Sequence, residues 1–375
     1  MKKKIFFISN LDSFFLSHRI DIGKKMLQEG YEVHIGTEFT KYEKSFLKLG
    51  FKTHKINFYR NSFNFLKAIH SIVQIFILLK KNKPDILHLI SLKPIIFGGI
   101  ISFISPVKSI VISVTGLGSM FIDNNYFSKI RKIIFNFFYR VVFLYPNLKV
   151  ILQNNDDLSY LVKKSKLKKK DIIIIRGSGV NLNLFRFSKI PEGALTVLMA
   201  SRIIRDKGVF EYIEAIKYLK KKNFNAKFLL IGDIDTENPS AISNSLIKNW
   251  EREKLIKYLR YQNNIQRYIK KSSLVILPSY REGFPKIIME AAACGRPVIT
   301  TNVPGCRDAV INKVTGIKVP VKNYRAIANA ILKVSKKRNT LKKMGKRARL
   351  HAEKNFDINN VVSKHIYIYK RIFNK

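Results

Sequence analysis

The sequence predicts an α/β chain built as two doubly wound domains facing across a cleft. Three observations carry this prediction. Short runs of β-branched and apolar residues recur along all 375 residues, separated by segments whose apolar residues fall at helical spacing. That alternation is the pattern of parallel sheets covered by helices on both faces. It stops and restarts once, at Pro191-Glu192-Gly193, and the length suits two domains. Hydrophobic residues make up 46% of the chain. That is enough for two cores and excludes a disordered polybasic protein.

The first half reads as strands at Lys4–Ser9, Glu32–Gly36, Lys52–Ile56, Ile86–Leu89, Ile110–Val114, Val150–Leu152 and Ile172–Ile175. The opening MKKKIFFISN is basic, but its apolar stretch Ile5–Ile8 falls short of the roughly 7–15 residues of a signal peptide. It is expected to be the first buried strand. Pro94–Ile122 holds one Lys or Arg, Lys108, yet Gly98-Gly99, Pro106 and Gly116-Leu117-Gly118 break it up. It reads as a helix near Pro94–Phe103, the strand at 110–114 and a Gly-rich loop rather than a membrane span. Asn64–Lys81 repeats Phe65, Leu66, Ile69, Ile72, Val73, Phe76 and Leu79 at helical spacing. Ser128–Phe143 does the same with Ile130, Ile133, Ile134, Phe137, Phe138 and Val141, among Lys129, Arg131, Lys132 and Arg140. Such helices either face the core with Lys outside or lie on an anionic bilayer.

The second half reads as strands at Thr196–Ala200, Lys227–Ile231, Leu274–Pro278, Val298–Thr301 and Ile317–Val319. The expected domains are therefore 1–187 and 191–356, with a C-terminal helix at 357–375 packing back on the first. Ligands of such sheets bind beyond the carboxyl ends of the strands, which makes the cleft between the domains the default site.

The 70 Lys+Arg against 25 Asp+Glu give a net charge of +45. Residues 1–190 hold +21 and residues 191–375 hold +24, so the excess is no basic tail. Its densest run, Lys163–Lys170, reads as a solvated helix end or loop. A nucleic acid, an anionic membrane and codon bias in an AT-rich genome all fit the total. No helix-turn-helix, RNP or aromatic-interleaved groove motif accompanies it. The two cysteines, Cys294 and Cys306, exclude a disulfide scaffold and suit a reducing cytosol.

Two strand ends carry candidate chemistry. Thr196–Ala200 runs into Ser201-Arg202, then Arg205-Asp206-Lys207-Gly208 and a helix from Val209. Arg202 and Lys207 would grip a diphosphate as fork and point charge, or be two of many basic loop residues. Leu274–Pro278 runs into Ser279-Tyr280-Arg281-Glu282-Gly283-Phe284-Pro285 and a helix Lys286–Cys294. Its amino end suits a phosphate. Glu282 and Glu290 would hold sugar and ribose hydroxyls, or act as a cap and a solvated acid.

Taken together, Arg202, Lys207-Gly208, Glu282-Gly-Phe-Pro, Glu290-Ala-Ala-Ala-Cys-Gly-Arg-Pro, Pro304-Gly305-Cys306-Arg307-Asp308 and Gly316 resemble the retaining glycosyltransferases of family 4. These have the GT-B fold, two doubly wound Rossmann-like domains. The resemblance is specific over 195–335 and implies that Glu282 contacts the donor sugar, Glu290 the ribose, and Arg202 and Lys207 the diphosphate. It adds Gly232, Gly283, Phe284, Pro285 and Lys286 to the donor side. Gly232–Pro239 resembles the donor-base loop, or is a plain acidic turn. Phe14–Arg19, Ser91–Pro94 and Gly116–Phe121 resemble the subgroup that extends undecaprenyl-diphosphate amino sugars, such as N-acetylgalactosaminyltransferases. This implies an acceptor side of Ser13, His18, Arg19, Lys93, Gly116 and Gly118. His18 could equally face the core, Lys93 could be a solvated loop residue, and His88 reads as structural. The chain departs from the family at Asn10–Ser13, where a Gly-Gly pair is common, at Leu92, where His is frequent, and at Arg260, Asn264 and Asp308.

The implied activity is hexosyl transfer from a UDP-sugar, UDP-N-acetylgalactosamine or another UDP-hexose, to a polyprenyl-diphosphate-linked glycan of an O-antigen or capsule. No Asp-x-Asp stands where a diphosphate metal would need ligands, so no cofactor and no metal are expected. The implied partners are the nucleotide-sugar donor, the lipid-linked acceptor and an anionic membrane surface, without nucleic acid. The implied place is the cytoplasm, peripheral at the inner face of the membrane. A UDP-sugar epimerase of the same fold is the alternative, although no acid or base for the sugar C2 stands out. A non-enzymatic nucleic-acid binder is the alternative of another class.

Overall fold

Strand β1 (Lys4–Leu11) is buried through Ile5–Ile8 and leads straight into helices α1 (Asp12–His18) and α2 (Ile20–Gln28). There follow β2 (Glu32–Glu38), α3 (Glu43–Lys48), β3 (Lys52–Lys55), α4 (Phe65–Asn82), β4 (Ile86–Ile90), α5 (Leu92–Ile101), β5 (Ser109–Val114), α6 (Tyr126–Val142), β6 (Leu148–Leu152), α7 (Asn155–Ser165) and β7 (Ile172–Ile174). The seven strands form one parallel sheet in the order β3-β2-β1-β4-β5-β6-β7. This is a computed structural model, which describes residues 2–59, 64–118, 121–122 and 126–374.

The chain winds from β1 outward to β3, crosses back along α4 to β4 and winds the other way. Right-handed crossovers then put α4–α7 on one face and α1–α3 on the other. The two cores agree. Ile75, Leu79, Ile95, Phe135, Tyr139 and Leu161 fill one layer, and Phe15, Ile22, Met26 and Phe46 the other. The second layer also holds Val361, Ile366, Ile368 and Tyr369 of the C-terminal helix.

The second sheet contains β8 (Thr196–Ala200), β9 (Lys227–Ile231), β10 (Lys257–Leu259), β11 (Leu274–Leu277), β12 (Val298–Thr301) and β13 (Gly316–Val319). It is parallel, in the order β10-β9-β8-β11-β12-β13. Its helices are α8 (Val209–Lys221), α9 (Asn244–Arg252), α10 (Ile265–Lys271), α11 (Lys286–Ala293), α12 (Cys306–Ala309), α13 (Tyr324–Ser335) and α14 (Arg338–Asn355), and α15 (Ile358–Phe373) ends the chain. The expected pair of doubly wound α/β sheets is thus present.

The two compact units are Met1–Ser178 with Asn359–Lys375, and Gly179–Ile358. Residues 179–187, assigned from sequence to the first half, belong to the second. Val180 N–H bonds to Phe356 O at 2.7 Å, and Val180 and Phe185 lie in the second unit's core. Arg296, fully buried, holds this segment through Ser188 O at 2.7 Å and Ser188 Oγ at 2.6 Å. The apolar run 94–122 divides as expected into α5, a 3₁₀ turn at Ser102–Ile104 and β5. Among the described residues, no helix is long and apolar enough to cross a membrane.

Candidate active site

In each sheet the strand order reverses beside the first strand, between β1 and β4 in the first unit and between β8 and β11 in the second. Such a switch point leaves a crevice beyond the strand ends where ligands of this architecture bind. Of the residues expected on the donor side, Gly232 follows β9, and the others lie on the two loops leaving β8 and β11 and on helix α11.

The loop after β8 turns through a 3₁₀ helix, Arg205–Lys207, and enters α8 at Gly208. Gly208 has φ +77°, and a Cβ there would lie 2.2 Å from the Pro278 carbonyl oxygen. Only glycine lets the two loops approach so closely. Tyr280 N–H donates to Asp206 O at 2.9 Å, and Tyr280 Oη donates to Glu211 Oε1 at 2.7 Å. Burial and the Glu211 hydrogen bond hold this phenol well above its usual range. The loops are therefore fastened before any ligand arrives.

Across that joint Lys207 Nζ meets Glu282 Oε1 at 2.5 Å, and Ser279 Oγ donates to the same oxygen at 2.7 Å. Lys207 and Glu282 are mostly buried, so the pair is screened less than a surface one. Glu282 N–H bonds to Pro304 O at 3.2 Å, and Gly305 passes over the Glu282 and Gly283 carbonyls. Arg202 Nη1 sits 2.7 Å from Asp235 Oδ2, in the loop after β9. Gly232 opens that loop, and a Cβ there would lie 1.8 Å from Ser201 O. Helix α11 starts at Lys286 behind Pro285, which offers no side-chain cap. The first-turn N–H groups emerge at that end. Lys286 Nζ lies 3.6 Å from Glu290 Oε1. Burial pushes the Glu290 carboxyl up, and Lys286 offsets part of that.

All the expected donor-side residues thus fall on one sheet edge. Glu282 and Lys207 touch, whereas Phe284 is buried against Phe356, ring centroids 5.6 Å apart, and serves packing. Each of the three cations Arg202, Lys207 and Lys286 faces a carboxylate. Sequence reasoning did not single out Asp235 or Ser279. Asp235 is the second acid of Asp233-Ile234-Asp235 in the Gly232–Pro239 loop, so an Asp-x-Asp does lie beside Arg202, where none was expected, and Arg202 holds its second carboxylate. Burial, with the Glu282 charge nearby, pushes the Cys306 thiol up to about 12, which makes it a packing group rather than a nucleophile.

In the first unit Ser13 and His18 lie on α1, after β1, and Lys93 lies on α5, after β4, on either side of the switch point. Asp12 begins α1 and accepts from Thr40 N–H at 2.8 Å, Thr40 Oγ1 at 2.8 Å, and the Lys41 and Tyr42 N–H groups at 3.0 Å each. Burial pushes its carboxyl up, but these donors outweigh that and leave it below its usual value. Asp12 thus pins the loop after β2, a role sequence reasoning missed. Ser13 follows it, half-buried. His18 stacks on Phe14 at 4.3 Å, with Nδ1 2.6 Å from Ser17 Oγ.

Arg19, expected beside His18 on the acceptor side, lies instead in the interior, 2% exposed. Its turn between α1 and α2 points it inward, where Nη1 donates to His18 O at 2.8 Å, and burial lowers it to about 10. His88 is buried too, with Nδ1 2.6 Å from Tyr369 Oη and Nε2 2.7 Å from Ser113 Oγ. Lys93 Nζ donates to Phe58 O at 2.9 Å and Tyr59 O at 2.6 Å. It walls a cavity of about 180 Å³ with Phe58, Tyr59, Asn64, Lys67 and Phe97. Gly116 and Gly118 lie in the loop after β5, both with positive φ. Ser119 and Met120 of the same motif lie outside the described residues.

Comparison with known proteins decides the family. The model "Glycosyl transferases group 1" matches residues 181–351, and "Glycosyl transferase 4-like" matches residues 4–144. The chain belongs to glycosyltransferase family 4. This glycosyltransferase is 25% identical to the N,N'-diacetylbacillosaminyl-diphospho-undecaprenol alpha-1,3-N-acetylgalactosaminyltransferase of Campylobacter jejuni, over 98% of the chain and 99% of that protein. It is also 25% identical to the UDP-Gal:alpha-D-GlcNAc-diphosphoundecaprenol alpha-1,3-galactosyltransferase of Escherichia coli, over 72% and 71%. Among solved structures, HepE of Anabaena in complex with UDP superimposes with a TM-score of 0.78 at 18% identity. That match covers 99% of the glycosyltransferase and all of HepE, and identifies the fold as GT-B.

Proposed function

We propose that this glycosyltransferase transfers a hexose or N-acetylhexosamine from a UDP-sugar to a polyprenyl-diphosphate-linked glycan, with retention of anomeric configuration. The products would be intermediates of an O-antigen, capsule or related surface polysaccharide. The observation that carries the reading is Lys207 against Glu282 at 2.5 Å, with Arg202 on the same loop as Lys207 and the amino end of α11 beyond. Cations at a helix amino end suit a diphosphate, and acids beside them suit sugar hydroxyls. Both transferases named above act, by their names, on undecaprenyl-diphosphate sugars, and HepE holds UDP.

In this reading Arg202 and Lys207 exchange their carboxylate partners for diphosphate oxygens. Glu282 is then released to accept from a donor-sugar hydroxyl, and Glu290 holds the ribose. The bond from the anomeric carbon to the diphosphate oxygen breaks, and its electron pair leaves with UDP. The acceptor oxygen bonds to the anomeric carbon from the same face, and its proton passes to the diphosphate. Stabilising the leaving charge is the main catalytic task, and the preset cations supply it without a metal. On the first unit, Ser13, His18, Lys93 and the Gly116–Gly118 loop receive the acceptor. The enzyme works in the cytoplasm at the inner face of the membrane, where such acceptors are held.

The test is transfer from a panel of UDP-sugars to a short-chain polyprenyl-diphosphate sugar, with the product linkage read by NMR. One α-sugar donor giving an α-linked product is expected. Transfer that survives both Lys207→Ala and Glu282→Ala would refute the assignment.

A further inference from the structure

Helices α4 and α6 each carry a second apolar face. On α6, Phe135, Tyr139 and Val142 point into the core. Phe127, Ile133 and Phe137 lie on the outside, 69%, 69% and 61% exposed, with Tyr126, Ile130 and Ile134 beside them. On α4, Ile75 and Leu79 are buried, while Phe65 and Leu66 are 76% and 74% exposed, and Ile69, Val73 and Ile77 continue the stripe at every fourth residue. Each helix thus has a core-facing apolar side and, opposite it, an exposed apolar side. Scattered exposed apolar residues are ordinary, but a continuous outer stripe is not.

The surroundings of this face are poor in acids. Residues 64–143 contain ten Lys or Arg and two acids, a net of +8, whereas residues 2–55, which build most of the opposite face of the sheet, contain eleven Lys or Arg and six acids, a net of +5. The helices α4 and α6 have no acid at all. Lys129 and Arg140 lie exposed along α6, and Lys67, Lys80 and Lys81 along α4. An apolar stripe flanked by cations fits an anionic bilayer interface.

Direction follows from topology. Both helices leave the carboxyl ends of their preceding strands, so their amino ends lie at the sheet edge that holds Ser13, His18, Lys93 and Gly116. The three most exposed large apolar residues among those described, Phe65, Leu66 and Tyr126, are at those amino ends, with Phe127 next to Tyr126.

We propose that the outer face of α4 and α6 docks on an anionic lipid bilayer, inserted most deeply at the helices' amino ends, so that the carboxyl edge of the first sheet lies against the membrane. The functional meaning of this docking, capture of a lipid-linked acceptor, rests on the reading above.

The test is co-sedimentation of the full chain with vesicles of phosphatidylcholine alone or with 30% phosphatidylglycerol. Three double variants are compared, Ile133→Ser with Phe137→Ser, Phe65→Ser with Leu66→Ser, and the control Leu350→Ser with Tyr367→Ser, whose targets are equally exposed elsewhere. The expected result is binding that needs phosphatidylglycerol and falls at least tenfold in the first two variants but not in the control. Thermal melting and UDP binding should stay unchanged throughout. Equal binding to neutral vesicles, retained binding in the α4 and α6 variants, or a dimer in solution that those variants dissociate would overturn the proposal. Transfer to a detergent-soluble short-chain acceptor separates the two readings. If it persists while vesicle binding fails, docking alone is wrong.

Discussion

Gly208→Ala strikes the joint between the loops that carry Lys207 and Glu282. The backbone there has φ +77°, and the new Cβ would lie 2.2 Å from Pro278 O and 2.7 Å from Pro278 C. The left-handed backbone costs about 1–2 kcal/mol for a residue with a Cβ. The overlap adds about 1–3 kcal/mol, because its partner is the backbone at the end of β11 and cannot swing aside. A loss of roughly 2–5 kcal/mol follows, with a Tm about 5–15 °C lower for the second unit. Gly193→Ala is the matched control. It has φ +86° with nothing within 4 Å of the new Cβ, so only the backbone cost of about 1–2 kcal/mol applies. Calorimetric unfolding of both variants, with UDP titration, measures the difference. Gly208→Ala should melt well below Gly193→Ala and bind UDP more weakly, since Lys207 and Glu282 sit on either side of the joint. Equal melting temperatures would refute the close approach of the two loops.

Three further outcomes are expected. Asp12→Ala leaves the Thr40, Lys41 and Tyr42 N–H groups without their acceptor and should destabilise the first unit by about 3 kcal/mol, read by denaturant unfolding. His365 is lowered to about 3 by burial, and His88 is held well below its usual value for the same reason. Both are neutral when folded and protonate when unfolded, so stability is fully present above pH 6.5 and is lost as pH falls towards 3. The slope should be about 1.4 kcal/mol per pH unit for each, and His365→Leu should flatten it. If Arg202 and Lys207 take the diphosphate as proposed, sugar transfer should be unchanged by EDTA. A rate that collapses in chelator and returns with magnesium would contradict this.

Much of the fold was legible because parallel strands are buried on both faces and read as unbroken apolar runs. β4, β5, β8 and β11 stood out for that reason. β10 was missed because Lys257-Tyr258-Leu259 is a three-residue edge strand among polar neighbours. Strand ends shifted where a ladder outlasts the apolar run, as in β1, which pairs on to Leu11 opposite Glu38. On the donor side, motif spacing fixed which loops carry Lys207 and Glu282, but not that each cation meets a carboxylate. Arg202 and Asp235 stand 33 residues apart, and only adjacency of β8 and β9 unites them. Arg19 shows the reverse failure. Its place after His18 suggested a contact surface, whereas the turn between two short helices sends its side chain inward. Whether α4 and α6 face core or solvent was undecidable from periodicity, because each helix does both.

In the proposed reaction Lys207 and its neighbours hold the diphosphate of a uridine nucleotide. Calorimetric titration of UDP and of uridine, into the wild-type chain and Lys207→Ala, tests it most directly. Loss of one charge-assisted contact of about 1.5–3 kcal/mol predicts UDP binding weakened about 10- to 100-fold, with uridine bound equally weakly by both. UDP bound with the same affinity by the variant, or uridine affinity falling as far as that of UDP, would contradict the account.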